Sequence, residues 1–228
     1  MSNFLRLNVT AEGQAEEKFV KDALAPYLGV YNISTDTRCV LTSKDRRKYY
    51  RGGLISYQKA KSDIRSWLLS DANSDARFTT MFDLYALPND FPGYEKASSI
   101  RDPYEKVSTL EKAFSDDIND NRFIPYIQLH EFETLLFSDL SMLRLEYFEH
   151  NKEISQLEKV LVDFSNNPEL INENRNTAPS KRIIKLIPEY KGNKVNVGAT
   201  IASMIGIDHL KKTCSHFNDW ILKLEDLI

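Results

Sequence analysis

The sequence predicts an α/β fold with a mostly parallel sheet flanked by helices, followed by an all-helical C-terminal extension. Two observations support this prediction. Apolar, β-branched runs alternate with segments of helical periodicity up to about residue 135, and helical periodicity alone continues from there. We therefore divide the chain into an α/β core, residues 1–135, and a helical extension packed on that core, residues 136–228.

The elements of the core follow in strand–helix order. Strands are predicted at 4–9, 78–82 and 123–129, and an extended segment or hairpin at 31–42, because these runs are rich in β-branched and aromatic residues. Apolar residues at helical spacing predict helices at 19–28, 57–69 and 103–118. In the extension the same spacing predicts helices at 140–148, 154–164, 181–186, 195–205 and 217–227.

Composition excludes several classes of protein. With 42% hydrophobic and 28% charged residues, the chain is expected to fold rather than remain disordered. Its 30 Lys and Arg against 33 Asp and Glu give a net charge of −3, so any site for a polyanion must be local. Cys39 and Cys214 match neither a zinc spacing nor a disulfide scaffold, which indicates a reducing compartment. With no secretion leader and no bilayer-spanning apolar run, we expect a cytoplasmic protein without membrane contact.

Acidic residues follow three of the predicted strands. Glu12 follows the first strand, Asp83 ends the strand at 78–82, and Glu131 and Glu133 follow the strand at 123–129. Glu16 lies one helical turn beyond Glu12. Because ligands gather beyond the carboxyl ends of parallel strands, we expect these acids to converge on one edge.

Converging carboxylates repel one another unless protons or a cation neutralise them. A site that offers carboxylate oxygens and no accompanying His or Cys ligands favours Mg²⁺ or Mn²⁺ over zinc. Mn²⁺ would also accept the imidazole of the neighbouring His130. A simpler interpretation stays open for each acid taken singly, as a helix N-terminal charge or part of a solvated loop.

One segment of the chain is strongly basic, although the net charge of the whole chain is negative. Between Arg38 and Lys61 there are eight Lys or Arg and one acid, with tyrosines interleaved and a Gly52-Gly53 pair. Such a pattern suits phosphate contacts and base stacking, and an exposed mobile loop is the alternative. The residues that we expect to bind nucleic acid are Arg46, Arg47, Lys48, Arg51 and Lys59, together with Arg182 from a second basic stretch.

Several motifs resemble a known family. EGQAEE at 12–17, RGG at 51–53, TTMFDLY at 79–85, LPNDFPG at 87–93, PYIQLHEFE at 125–133 and TAPSKR at 177–182 look like the bacterial domain of unknown function 4276 family. That family is similar in turn to the TOPRIM domains of overcoming-lysogenization-defect nucleases. Those nucleases occur with SMC-like AAA ATPases in phage-defence loci. The resemblance implies a TOPRIM/Rossmann-like fold.

The resemblance also implies roles for individual residues. A TOPRIM site uses a Glu after its first strand, matched by Glu12, and an Asp-x-Asp after a later strand, of which Asp83 matches the first. Tyr85 stands where the second Asp is expected, so the missing oxygen would come from Glu16, Asp90, Glu131 or Glu133. These nucleases have a second acid one turn into the first helix, which supports Glu16. A downstream lysine near the scissile phosphate corresponds by analogy to Lys181.

The sequence therefore predicts a Mg²⁺- or Mn²⁺-dependent nuclease acting on DNA or RNA. Glu12, Asp83 and Lys181 would be catalytic, and the metal would lie among Glu12, Glu16, Asp83, Glu131 and Glu133. No P-loop or dinucleotide fingerprint occurs, so energy-driven work would need a partner, which the resemblance identifies as an SMC-like AAA ATPase in anti-phage defence. A homodimer is left open. The alternative function is a non-catalytic adaptor that senses nucleic acid or binds the ATPase and has a degenerate site.

Overall fold

The computed structural model of the chain describes residues 4–45, 48–51, 54–171 and 176–227. Its strands, in chain order, are β1 Leu5–Ala11, β2 Ile33–Cys39, β3 Leu41–Asp45, β4 Lys48–Arg51, β5 Ala76–Asp83, β6 Phe123–Ile124 and β7 Ile127–Gln128. Five of them form a parallel sheet in the order β2-β1-β5-β6, with β7 also paired to β5. The remaining two, β3 and β4, form an antiparallel hairpin. The predicted α/β fold with a parallel sheet is confirmed.

Two predicted strands are divided in the structure. The segment predicted at 123–129 forms β6 and β7 with Pro125 between them, because proline has no N–H to donate to the ladder. The segment predicted at 31–42 forms β2 and, after Val40, the first residues of β3.

The helices cover both faces of the sheet. Those of the predicted core are α1 Gln14–Phe19, α2 Ala25–Gly29, α3 Tyr57–Ser70, α4 Tyr94–Ser98 and α5 Pro103–Ile118, with a π-helical turn, Val20–Leu24, joining α1 to α2. Those that follow are α6 Leu143–Glu146, α7 Asn151–Asp163, α8 Pro179–Leu186, α9 Tyr190–Asn193, α10 Ala199–Ile205, α11 Ile207–Thr213 and α12 Ser215–Glu225. The patterns did not predict α11, which begins directly after Gly206.

Successive side chains of each strand point to opposite faces of the sheet, and each face has its own apolar core. Leu5, Leu7 and Val9 of β1 face one side, where they join Phe19 of α1 and the later helices α7 to α12 in one cluster of buried residues. Phe78 and Phe82 of β5 face the other side with α3, α4 and α5. The sheet is thus buried on both faces, as parallel sheets require.

The last helix is fixed directly to the sheet. The Trp220 indole of α12 stacks on Tyr126 with ring centroids 4.0 Å apart, and its Nε1 donates to Thr79 Oγ1 of β5 at 3.0 Å. Within the described ranges, none of the helices combines the length and the apolar character that spanning a bilayer requires.

Candidate metal and phosphate site at the carboxyl ends of the strands

Strand register brings Glu12 and Asp83 into contact. Ala11 of β1 lies opposite Met81 of β5, so the next residues of both strands leave the sheet at the same edge. The Glu12 N–H donates to the Met81 carbonyl at 3.0 Å, and the Asp83 N–H donates to Glu12 Oε2 at 2.8 Å. Two acids that are 71 residues apart in the chain therefore meet at the carboxyl ends of neighbouring strands.

Glu16 joins them from the first turn of α1. The residue is 6% exposed, and its Oε2 accepts a hydrogen bond from the Gly13 N–H at 2.9 Å, which forms a capping box at the start of the helix. A Cβ at position 13 would lie 3.1 Å from Glu16 Oε2, so glycine leaves room for the carboxylate. The helix cap therefore holds Glu16 at the same edge as Glu12.

Glu131 and Glu133 approach from the chain after β7. Asp83 lies opposite Gln128 in the β5–β7 pairing, so this segment leaves the sheet beside it. Glu131 accepts hydrogen bonds from the Ser180 N–H and hydroxyl of α8, the latter at 3.0 Å. Glu133, only 4% exposed, accepts from the Tyr190 hydroxyl of α9 at 3.2 Å.

The electrostatics show that the five acids share one environment, which we call the carboxylate rim: Glu12, Glu16, Asp83, Glu131 and Glu133. Burial, with repulsion from Glu16 and Glu131, raises the pKa of Glu12 to about 8. Burial and the Glu133 charge raise the pKa of Glu16 to about 7. Burial raises the pKa of Asp83 well above its ordinary value, and the other four acids of the rim add to the rise.

Glu131 follows the same pattern, since burial and then Glu133 raise its pKa. The Asp83 Oδ1 atom is buried and has no hydrogen-bond partner. A buried acceptor without a donor costs free energy, so this oxygen is the least satisfied atom of the rim. Nevertheless, within the described residues no three Asp, Glu, His or Cys side chains are arranged to hold one metal ion.

A lysine that the sequence analysis did not single out enters the rim. Lys194 Nζ lies 3.0 Å from Glu133 Oε1 at the start of a π-helical turn, Lys194–Gly198, between α9 and α10. Burial lowers the pKa of this lysine, but Glu133, Glu131 and Asp83 outweigh burial and raise it. In the sequence Lys194 lies three residues after Lys191, and no pattern distinguishes it from that exposed lysine.

One known family matches the sequence over nearly its whole length. The profile of one family, described as Domain of unknown function (DUF4276), matches residues 11–225. The chain belongs to this family. No curated protein matches the DUF4276 chain. A solved structure that it resembles is the C-terminal region of the Burkholderia pseudomallei OLD protein, with 14% sequence identity, a TM-score of 0.46 and 98% of each chain covered.

Lys181, predicted to be catalytic, lies at the start of α8 in the DUF4276 chain. Its side chain is exposed, and its neighbour Ser180 makes the contact with Glu131. The ammonium group beside the rim carboxylates of the described structure is that of Lys194. A role for Lys181 at the phosphate stays a prediction.

Three further residues considered for the site make other contacts in the structure. Asp90 Oδ1 accepts from the Tyr57 N–H at the start of α3, at 3.0 Å. The Tyr85 N–H donates to the His130 carbonyl at 3.0 Å and links the ends of β5 and β7. His130 is 2% exposed, and burial lowers its pKa to about 4, so its ring is neutral.

The predicted nucleic-acid-binding residues are only partly described. Arg46 and Arg47 lie outside the described residues, and so do the side chains of Lys48 and Arg51 in β4. Lys59 is exposed on α3. Arg182 is half-buried: its Nε donates to the Thr177 carbonyl at 2.7 Å, and its guanidinium lies 5.6 Å from the centre of the Phe164 ring. These contacts give Arg182 a structural role, whatever it binds.

Proposed function

We propose that this DUF4276 protein is a Mg²⁺- or Mn²⁺-dependent nuclease that hydrolyses phosphodiester bonds of DNA or RNA. The observation that carries the proposal is the carboxylate rim. Five acids from three separate segments meet at the carboxyl ends of parallel strands, and four of them have a raised pKa. Burying so many like charges together is costly unless a cation or protons compensate for it.

The donor set fits a hard divalent cation. Every rim side chain offers carboxylate oxygens, and the Asp83 Oδ1 atom lacks a partner. Mg²⁺ keeps several waters and binds through one or two carboxylates plus substrate phosphates, so it does not require a preformed cage of three side chains. Glu12 and Asp83, which are in contact, would hold it, with Glu16 beside them. When bound, such an ion polarises a phosphoryl oxygen and lowers the pKa of a water molecule.

The chain's own groups would position the phosphate. Lys194 supplies a half-buried ammonium group that can shift from Glu133 to a phosphate oxygen, because its flexible stem carries three rotatable donors. Glu131 is held by Ser180 and fixes the start of α8, so Lys181 extends from the border of the rim. The basic segment from Arg38 to Lys61 would hold the flanking backbone of the nucleic acid.

The decisive experiment is a nuclease assay on single-stranded DNA, duplex DNA and RNA with Mg²⁺ and with Mn²⁺. Asp83→Asn should abolish metal-dependent cleavage while it leaves the fold intact, because asparagine is isosteric and the Asp83 N–H, which bonds Glu12, belongs to the backbone. A matched control is Asp75→Asn. Asp75 is an exposed acid that pairs with Arg6 and directly precedes the first residue of β5, at the opposite end of the strand from Asp83. Cleavage unchanged in Asp83→Asn would refute the proposal.

One observation favours the alternative, a non-catalytic adaptor. Lys194 already supplies a cation to the rim, and the described residues contain no three-ligand metal group. Calorimetric titration with Mn²⁺ of the wild type and of Glu12→Gln separates the two functions. Binding that is lost in the variant supports the nuclease, and no binding by either protein supports the adaptor.

An SMC-like AAA ATPase partner and a role in anti-phage defence remain part of the proposal. They rest on the family resemblance of the motifs and on the lack of a nucleotide-binding fingerprint in the sequence. Co-purification from the native host, followed by the same nuclease assay, tests them. Cleavage that appears only in a complex with an ATPase is the expected result.

A further inference from the structure

A pocket opens beside the carboxylate rim. It has a volume of about 280 Å³, and Tyr85 and His130 contribute to its wall. Tyr85 is two residues beyond Asp83, and His130 directly precedes Glu131, so the pocket and the rim share the same edge of the sheet. We call it the side pocket. None of the functions proposed above uses it.

The walls of the side pocket suit a flat ring. Leucine side chains from the β5–α4 connection and from α5 line it, together with the rings of Tyr85 and Tyr94. The Tyr85 ring lies 5.5 Å from the His130 ring, with an angle of 36° between their planes. Aromatic faces of this kind stack on nucleobases regardless of sequence, and the volume suits one base with part of its sugar.

The side pocket is also positively charged. Arg101 and Lys106 line it, and none of its described lining residues is acidic. Neither cation forms an ion pair with any described residue. In a protein with a net charge of −3, two such cations in one pocket favour an anionic ligand.

A buried acceptor is the third feature. His130 Nε2 lies 2.8 Å from the Glu169 carbonyl, so this nitrogen donates and Nδ1 of the neutral ring carries a lone pair. Nδ1 is buried, and no hydrogen-bond partner reaches it. The His130 backbone has a φ of 63°, an uncommon value for a residue with a side chain. This unpartnered nitrogen belongs to a residue that lines the side pocket.

We infer that the side pocket binds one unpaired nucleotide of the substrate strand, with its base between Tyr85 and Tyr94 and a phosphate held by Arg101 and Lys106. The inference rests on the proposed function in one respect, that the bound nucleic-acid strand continues from the side pocket to the carboxylate rim. A base cannot enter such a pocket while it is stacked in a duplex, so the nucleotide is either in a single strand or extruded from a helix. The substrate class is therefore nucleic acid with unpaired bases.

The test measures binding alone, in buffer with a chelator, so that it depends on neither metal nor cleavage. Adenosine and cytidine 5′-monophosphates, the free nucleosides and inorganic phosphate are titrated calorimetrically into the full chain. The monophosphates should bind more tightly than phosphate or nucleosides. Tyr85→Leu and Lys106→Ala should each weaken that binding about tenfold, since stacking and the charge contact are lost separately.

Lys112→Ala is the matched control for Lys106→Ala, because Lys112 lies on the same helix, α5, with its side chain 79% exposed and away from the pocket. It should bind like the wild type. No binding of any monophosphate, binding of phosphate alone with equal affinity, or wild-type affinity in Tyr85→Leu would overturn the inference. A nuclease without this nucleotide binding would retain the proposed function, whereas nucleotide binding without cleavage would retain the pocket.

Discussion

Lys194 and Glu133 form an ion pair in which one partner is buried and the other is half-exposed. The Glu133 side chain is 5% exposed and that of Lys194 is 36% exposed, with 3.0 Å between Nζ and Oε1. A carboxylate so far from water depends on this ammonium group and on the Tyr190 hydroxyl for its stability as an anion. At the residue scale, this lysine offsets the cost of burying the Glu133 carboxylate.

Replacing the lysine should therefore destabilise the protein. Lys194→Met leaves the Glu133 charge with one partner, and we expect a loss of about 1–3 kcal/mol in the free energy of unfolding, less than for a fully buried pair because Lys194 is part-exposed. Lys191→Met, at an exposed lysine of α9, should change it by less than about 0.5 kcal/mol. Urea unfolding at pH 8 measures both. Adding Glu133→Gln to Lys194→Met should restore stability, and a double variant no better than Lys194→Met would contradict the pairing.

The raised pKa of Glu12 makes stability depend on pH in a defined direction. Its pKa rises from an ordinary 4.5 to about 8 in the folded protein, so between these values the native state binds more protons than the unfolded state. Stability without metal should then fall as the pH rises from about 5 to 8, by on the order of a few kcal/mol. Thermal unfolding across this range in a chelator checks the sign. Glu12→Gln should flatten the fall, and Glu95→Gln, at an exposed acid of α4, should not.

At the scale of elements, α4 is placed by a single glycine. Gly93 precedes α4 with a φ of 76°, a left-handed conformation in which glycine is favoured. A Cβ at this position would lie 2.8 Å from the Ala113 Cβ on α5. The close contact of α4 with α5 forms one side of the side pocket, so this turn sets the shape of the pocket.

Gly93→Ala should consequently destabilise the protein by about 2–3 kcal/mol, since it adds both backbone strain and a contact that α5 must relieve. The control is Gly192→Ala in α9, where a Cβ would meet nothing within 4 Å, and which should be neutral or slightly stabilising. Chemical denaturation compares the two. Equal stability of both variants would show that the turn adapts to a side chain. We also expect Gly93→Ala to weaken mononucleotide binding.

At the scale of the whole molecule, the helices after residue 135 complete the core of the sheet. Glu169, fully buried, accepts from the backbone N–H groups of His216 and Phe217 at 3.0 and 3.1 Å and from the Tyr104 hydroxyl at 3.1 Å. It therefore joins α5 to the start of α12. With Trp220 on β5, these contacts connect the two parts into which the sequence was divided.

A chain truncated after residue 135 should not fold independently. Removing α6 to α12 would expose Leu5, Leu7, Val9 and Phe19, which are all 5% exposed or less in the full chain. Exposed apolar surface of this extent should give a collapsed or aggregated state. Amide NMR dispersion and limited proteolysis of residues 1–135 against the full chain test this. A dispersed, protease-resistant fragment would support the division into two domains.

The order of elements and the identity of the rim acids could be predicted from the sequence. Periodicity gave α5 with its observed bounds, Pro103–Ile118, because one apolar face repeats over 16 residues between a proline and an αL residue. Acids placed just after strands converge whenever those strands are parallel, so Glu12, Asp83 and Glu131 could be named without knowing the exact pairing. The basic segment, which also follows from composition, lies partly outside the described residues.

The tertiary structure alone decided which groups meet those acids. Lys194 reaches Glu133 from 61 residues further along the chain, and Tyr85, Arg101 and His130 form one pocket because α4 and α5 pack beside the ends of β5 and β7. Local patterns describe which residues share a face of one element, but a contact between elements depends on the packing angle and the register. The sequence by itself determined the parallel sheet and its acidic edge. The tertiary structure decided the rest, because burial raises the pKa of those acids and packing brings Lys194 beside them.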